Sequence, residues 1–173
     1  MNQAHIHLLL NHLPVVGTLF SVLLVAVAMV RKNDELRKVS LGFVVLVALA
    51  AIPTYLTGEP AEKIVEHLPG VSDALIESHE ESALFSLIAV EVAGIASLAG
   101  LFIFRRRSLP NAMVATALVI TLIAAGLMGW TANLGGQIRH TEIRSGFTAP
   151  AENEKGRPEG QPKAHAEENE RHE

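Results

Sequence analysis

The chain has 173 residues, of which 49% are apolar and only 18% are charged, and its formal net charge is −4. With a mean hydropathy of +0.31, this composition is too apolar for an ordinary soluble domain of that length. The absence of cysteine excludes disulfides, thiolate metal sites, iron–sulfur clusters and covalently attached haem c. A negative net charge, with no basic patch beside aromatic residues, argues against nucleic acid as a partner.

Four apolar stretches approach or exceed the ~18–20 residues that a helix needs to cross ~30 Å of hydrocarbon. Backbone groups in lipid must be bonded within the segment itself, so we expect helices here and not strands. The sequence therefore predicts an all-α integral membrane protein in which residues 1–144 form a four-helix bundle. The predicted spans are about 13–30, 39–58, 82–104 and 110–134.

The distribution of positive charge predicts the orientation in the membrane. Residues 1–12 contain no Lys or Arg, so they lack the positive region of a signal peptide, and we expect the first span to be retained. The connection 59–81 has one lysine and many carboxylates, whereas the two other connections are basic (Arg31, Lys32, Arg37 and Lys38; Arg105, Arg106 and Arg107). By the positive-inside rule, the basic connections face the cytoplasm. Both termini and 59–81 then face the periplasm, in a multi-pass protein of the bacterial inner membrane.

The segments outside the spans have their own patterns. Within 59–81 we expect a short amphipathic helix, AEKIVEHL, and then a helix that starts near Ser72 and continues into the third span. The glycine pair at 135–136 is typical of a C-terminal cap, so the fourth span should stop there. Residues 145–173 are rich in Glu, Pro and Ala, which predicts a disordered tail.

Six of the eight histidines share one predicted location, at or just beyond the outer ends of the spans. Imidazole is the commonest metal ligand, and a haem iron accepts it from facing helices. We therefore predict a histidine-lined cofactor site at the outer end of the bundle. The alternative is that these side chains lie half-hydrated at the membrane interface and bind nothing. The six are His5, His7, His12, His67, His79 and His140, and all except His5 are candidate metal ligands.

Helical phase ranks these candidates. Steps of seven from His79 reach Ser86, Ala93 and Gly100, small residues that mark a packed face of a membrane helix, so His79 should point into the bundle. On the first span, His7 and His12 lie roughly 140° apart on a regular helix. Because Pro14 can start a helix and free the residues before it, either histidine can face inward, and phase does not choose between them.

His140 is the substitute ligand on the fourth span. Arg139 beside it could bind haem propionates through charge-assisted hydrogen bonds, or equally lipid phosphates. Glu91 is the one formal charge inside the hydrocarbon, which makes it a functional-site hypothesis by default. Glu80 lies eleven residues earlier on nearly the same face, and the two carboxyl groups suggest a proton path or acceptors for a histidine N–H. Alternatively, Glu91 is protonated and bonded to a neighbouring hydroxyl.

Three short motifs resemble a bacterial family of small four-span inner-membrane proteins of unknown function. They are HIHLLLNHLPVVG at 5–17, a histidine at the mouth of the third span, and NLGGQIRH at 133–140. The family opens with His-x-x-x-x-His-[Phe/Leu]-Pro, and the resemblance covers about residues 5–144. This element is matched by His7, His12, Leu13 and Pro14.

The resemblance implies the same four-span topology and points to His7, His12, His79 and His140. Some relatives are joined to, or found near, Rieske-type iron–sulfur modules, which implies redox work at the membrane. This chain contains no such module.

These observations predict an electron-transfer or redox-partner subunit that binds haem b or, failing that, one transition metal ion. Two imidazoles from facing helices would be the axial ligands, His79 with His12 or His7. We expect no catalytic site, because no serine or aspartate stands in a nucleophile–base arrangement. The alternative is a non-redox scaffold or accessory subunit of a larger membrane complex, without a cofactor. A third hypothesis is a metal transporter that uses Glu91 as a relay. The absence of a broken helix in the predicted spans argues against it.

Overall fold

A computed structural model of the chain describes residues 2–148, and this part is built from helices and connecting turns, without strands. Four segments are long and apolar enough to cross a membrane: Gln3–Arg31, Asp34–Val65, Asp73–Ile103 and Asn111–Arg139. The prediction of an all-helical chain with four membrane-length helices is confirmed. The predicted tail lies, from residue 149 onwards, outside the described residues. The helices are α1 (Gln3–Leu10), α2 (His12–Arg31), α3 (Asp34–Leu56), α4 (Gly58–Val65), α5 (Asp73–Ile103) and α6 (Asn111–Arg139), followed by a 3-10 turn (Thr141–Ile143).

The four long helices form a bundle in which each packs against two others. α2 contacts α3 and α6, and α5 contacts the same two helices from the other side. Short connections join α2 to α3 and α5 to α6, so neighbours run antiparallel. The end with α1, α4 and the last turn of α6 is named the histidine end. The opposite end, with connections 32–33 and 104–110, is named the arginine end.

The interior of the bundle combines small and hydroxyl side chains with some larger apolar ones, such as Leu41 and Val44, while many large apolar side chains face outward. Leu19, Leu46 and Ile95 are 60%, 62% and 66% exposed. Such a surface suits hydrocarbon and not water, and small interior residues let helix backbones approach each other closely. Buried hydroxyl residues inside the bundle include Thr18, Ser21, Ser40, Ser86, Ser97 and Thr121.

One glycine shows how closely α3 and α5 approach. A Cβ atom added at Gly94 would lie 2.5 Å from the Cβ of Ala48, a distance that no real contact allows. Any larger residue at position 94 would therefore push the two helices apart. The small-residue face predicted from His79 (Ser86, Ala93 and Gly100) is also buried, but it packs on α6: Ser86 contacts Thr131, and a Cβ added at Gly100 would meet Met113.

A buried arginine closes the arginine end. Arg37 is 7% exposed, and its guanidinium donates to the backbone oxygen of Leu109 (2.9 Å) and to Oδ1 of Asn111. Asp34 accepts a hydrogen bond from the backbone N–H of Leu109 at 2.7 Å. Arg37 and Asp34 of α3 therefore bind the backbone C=O and N–H groups of Leu109, just before α6. Arg37 therefore stabilises the packing of α3 against the start of α6, and it also belongs to the positive charge from which the orientation is predicted.

α6 does not stop at Gly135–Gly136, as the sequence suggested, but continues to Arg139. Among the glycines of residues 2–148, the left-handed conformation that such a cap needs occurs only at Gly70 and Gly146. The carbonyl groups at the end of α6 are bonded instead by Arg144. Its guanidinium donates to the backbone oxygens of Gln137 (2.8 Å) and Ile138 (3.0 Å), and also to that of Gly70 (2.9 Å).

Candidate functional site

The structure separates the six histidines into two groups. His7 on α1 and His79 on α5 are half-buried. The four others, His5, His12, His67 and His140, are exposed. The pair formed by His7 and His79, called here the imidazole pair, is therefore the candidate site.

His7 lies against the C-terminal end of α3. Its Nδ1 is 3.1 Å from the backbone oxygen of Thr54 and 3.1 Å from Oγ1 of Thr57. The last carbonyl groups of a helix have no partner within the helix, so the Thr54 oxygen is available to an outside donor. The Thr57 hydroxyl donates to that same oxygen at 2.8 Å, which leaves its own lone pairs to accept. Both neighbours therefore call for a proton on Nδ1 of His7, and Nε2 keeps its lone pair.

A proline fixes the position of α1 above this contact. Pro14 has no N–H, so the carbonyl group of Leu10 loses its donor within the helix. The hydroxyl of Thr54 shares its one proton between that oxygen, at 3.3 Å, and the backbone oxygen of Ala50, at 2.9 Å. Thr54 thus binds the α1–α2 junction through its side chain and His7 through its backbone.

His79 lies between α5 and α6. Its Nδ1 is 3.0 Å from the backbone oxygen of Thr131, which can only accept, so this imidazole also carries its proton on Nδ1. A Cβ atom added at Gly135 would lie 3.0 Å from Cε1 and 3.3 Å from Nδ1 of the ring. Gly135 therefore gives the imidazole direct access to the backbone of α6, and this is the role of the glycine that the sequence suggested as a cap.

Thr131 joins His79 to a buried cluster of hydroxyl groups. Its Oγ1 is 2.6 Å from Oγ of Ser82 and 2.8 Å from Oγ of Ser86, and it donates to the backbone oxygen of Leu127 at 3.1 Å. The Thr131 hydroxyl has one proton for these three contacts, so at least one of the two serines donates to it. Sequence reasoning missed Thr131, although a hydroxyl one helical turn before Gly135 in an apolar span was a usable signal.

The exposed histidines have partners of their own. Nδ1 of His12 lies 2.8 Å from the backbone oxygen of Leu8, so of the two candidates on the first span His7 is the one turned inward. Nδ1 of His67 is 3.2 Å from the Glu66 carboxylate. Nδ1 of His140 is 2.7 Å from Oε1 of Glu142. The backbone N–H of Glu142 and then the His140 side chain lower the pKa of the Glu142 carboxyl group.

The remaining predicted site residues lie apart from the imidazole pair. Arg139 is exposed and lines a groove with residues of α1 and α4. Glu80 is exposed and lines an acidic cavity between α4 and α5. Glu91 is half-buried, and its Oε1 is buried without a hydrogen-bond partner among residues 2–148. The structure therefore does not join Glu80 or Glu91 to either inward imidazole by a hydrogen bond within its described part.

The imidazole pair offers two neutral nitrogen ligands whose opposite ring N–H groups are held by backbone carbonyl groups. This is the arrangement in which protein histidines bind metals, because the carbonyl fixes the tautomer and raises the basicity of the ligating nitrogen. Residues 2–148 contain no group of three or more His, Asp or Glu side chains that could hold a metal ion by themselves. The predicted resemblance to bacterial four-span proteins stays a prediction. The chain matches no protein-family model, no curated protein and no solved structure.

Proposed function

We propose that the protein is a membrane electron-transfer subunit that binds one haem b through His7 and His79. The observation that carries this proposal is the shared hydrogen-bonding pattern of the two imidazoles. Each uses Nδ1–H on a backbone oxygen, Thr54 or Thr131, and each keeps Nε2 available. A haem iron takes four nitrogens from its porphyrin, so two imidazoles complete its coordination.

The available Nε2 atoms of the two imidazoles are suitable ligands for such a group, and a glycine lies beside each ring. Gly135 leaves the His79 ring in contact with the α6 backbone, and Gly58 approaches His7, with an added Cβ at 3.8 Å from Cε1. Haem would supply reversible one-electron chemistry at its iron. The chain would hold both imidazoles in the ligating tautomer and orient them through Thr54 and Thr131.

The charge of the two ends supports the proposed location. The arginine end carries exposed Arg31, Lys32 and Arg105–Arg107, even when buried Arg37 is set aside. The histidine end carries the carboxylates of the acidic cavity. By the positive-inside rule, we propose that the histidine end, and with it the imidazole pair, lies on the outer side of a bacterial inner membrane. A redox protein or a larger membrane complex would be the electron partner.

A visible spectrum tests the proposal. The full chain, purified in mild detergent, is expected to show a reduced-minus-oxidised spectrum with sharp α and Soret bands. His7→Ala and His79→Ala should each remove the low-spin spectrum, whereas His12→Ala, a matched control on an exposed histidine, should leave it intact. A colourless preparation free of metal would refute both cofactor readings. A preparation that contains metal but no haem would instead indicate that the protein binds a single metal ion.

A second candidate is a scaffold or accessory subunit without a cofactor. The contacts of Thr131 with His79, Ser82 and Ser86 favour it, because polar side chains also hold membrane helices together without further chemistry. In that case His79→Ala would lower the melting temperature of a colourless protein. The spectrum of the unmodified chain therefore separates the two candidates before any variant is made.

A further inference from the structure

A groove lies between α1 and α4 at the histidine end, apart from the imidazole pair. It has a volume of about 470 Å³. Leu8 and Leu9 of α1 form one wall, and Ile64 and Leu68 form the other. Arg139, at the end of α6, reaches its rim.

The apolar side chains that form the walls of this groove are exposed. Leu8 and Leu9 are 58% and 56% exposed, and Ile64 and Leu68 are 38% and 39% exposed. His7 on the same short helix points into the bundle, so α1 uses one side for the imidazole pair and another for the groove. An exposed apolar patch of this kind needs an apolar occupant.

The rim supplies one positive charge and no negative charge. Arg139 is exposed, and within residues 2–148 it makes no ion pair. No carboxylate lines the groove, in contrast to the acidic cavity on the other side of α4. A guanidinium binds a phosphate through two parallel hydrogen bonds. A zwitterionic headgroup would bring an ammonium for which the lining holds no partner.

We propose that this groove binds one anionic glycerophospholipid. The phosphate lies on Arg139, and one acyl chain lies along Leu8, Leu9, Ile64 and Leu68. Free phosphate would use only the rim and would leave the apolar walls open, so the walls select the lipid. The proposal uses the membrane location but does not depend on a haem.

Native mass spectrometry of the full chain tests this proposal. After delipidation, phosphatidylglycerol and phosphatidylcholine with identical acyl chains are added in turn. One phosphatidylglycerol per chain should be retained in preference to phosphatidylcholine. Arg139→Gln should weaken its retention about fivefold, the effect of one cation at a membrane surface. Arg106→Gln, an exposed arginine at the other end, is the matched control and should have little effect.

A second variant keeps the test independent of Arg139. Leu9→Ser, in an exposed wall residue, should also weaken lipid retention while leaving the far-ultraviolet circular dichroism of the chain unchanged. Equal retention of both lipids, or equal losses in Arg139→Gln and Arg106→Gln, would overturn the proposal. Displacement of phosphatidylglycerol by inorganic phosphate at equal concentration would also overturn the proposal. A mass of two chains without lipid would overturn it too, because a second copy of the chain would then occupy the groove.

Discussion

Replacing Gly135 by alanine tests whether the imidazole of His79 really packs on the backbone of α6. The new Cβ would lie 3.0 Å from Cε1 and 3.3 Å from Nδ1 of the ring, so the imidazole must move by several tenths of an ångström. Gly126→Ala on the same helix is the matched control, because a Cβ there meets nothing within 4 Å. Any difference between the two variants reports the contact with His79.

The two substitutions share one effect and differ in another. Glycine to alanine inside a helix stabilises by about 0.5–1 kcal/mol, and Gly126→Ala should show this gain. In Gly135→Ala the displaced His79 leaves its rotamer, at a cost of about 0.5–1.5 kcal/mol. It also weakens its hydrogen bond to Thr131, worth about 0.5–1.5 kcal/mol. We therefore expect Gly135→Ala to be less stable than Gly126→Ala by about 1–3 kcal/mol.

Thermal unfolding in detergent measures this difference. For a chain of this size, about 2–4 °C corresponds to 1 kcal/mol, so a central value of about 2 kcal/mol separates the melting temperatures by roughly 4–8 °C. The ¹⁵N chemical shifts of the His79 ring should change in Gly135→Ala and stay the same in Gly126→Ala. Equal melting temperatures together with unchanged shifts would show that the ring does not occupy this position.

Two further predictions concern the polar contacts between helices. Arg37→Met should destabilise the bundle by about 1–3 kcal/mol, because it leaves the buried carbonyl group of Leu109 without a donor. Arg106→Met changes an exposed cation at the same end and should have little effect in the same melting assay. Thr131→Val should destabilise by about 0.5–2 kcal/mol, since it removes the hydroxyl group that two buried serines contact. Thr121→Val removes a hydroxyl that bonds only within its own helix and should cost less, and equal losses for the two valine variants would contradict the proposed geometry of the cluster.

The sequence alone determined the number and kind of the long helices. Lipid offers no hydrogen bonds to the backbone, so length and hydropathy along the chain are enough to predict four membrane helices. The face of α5 that runs from His79 through Ser86 was also readable, because a helix repeats its faces at fixed spacing. Both inferences depend only on residues within one segment.

The tertiary structure decided which polar groups meet. His7 and not His12 turns inward because α3 ends near it and offers the Thr54 carbonyl group, a fact about another helix that the phase of the first span does not contain. Gly135 serves the His79 ring instead of a cap because α5 packs at that height on α6. Arg37 is buried because its acceptors, at Leu109 and Asn111, come from the start of the last helix. Periodicity tells which side of a helix faces the protein, but the partner on that side is fixed only when the helices pack.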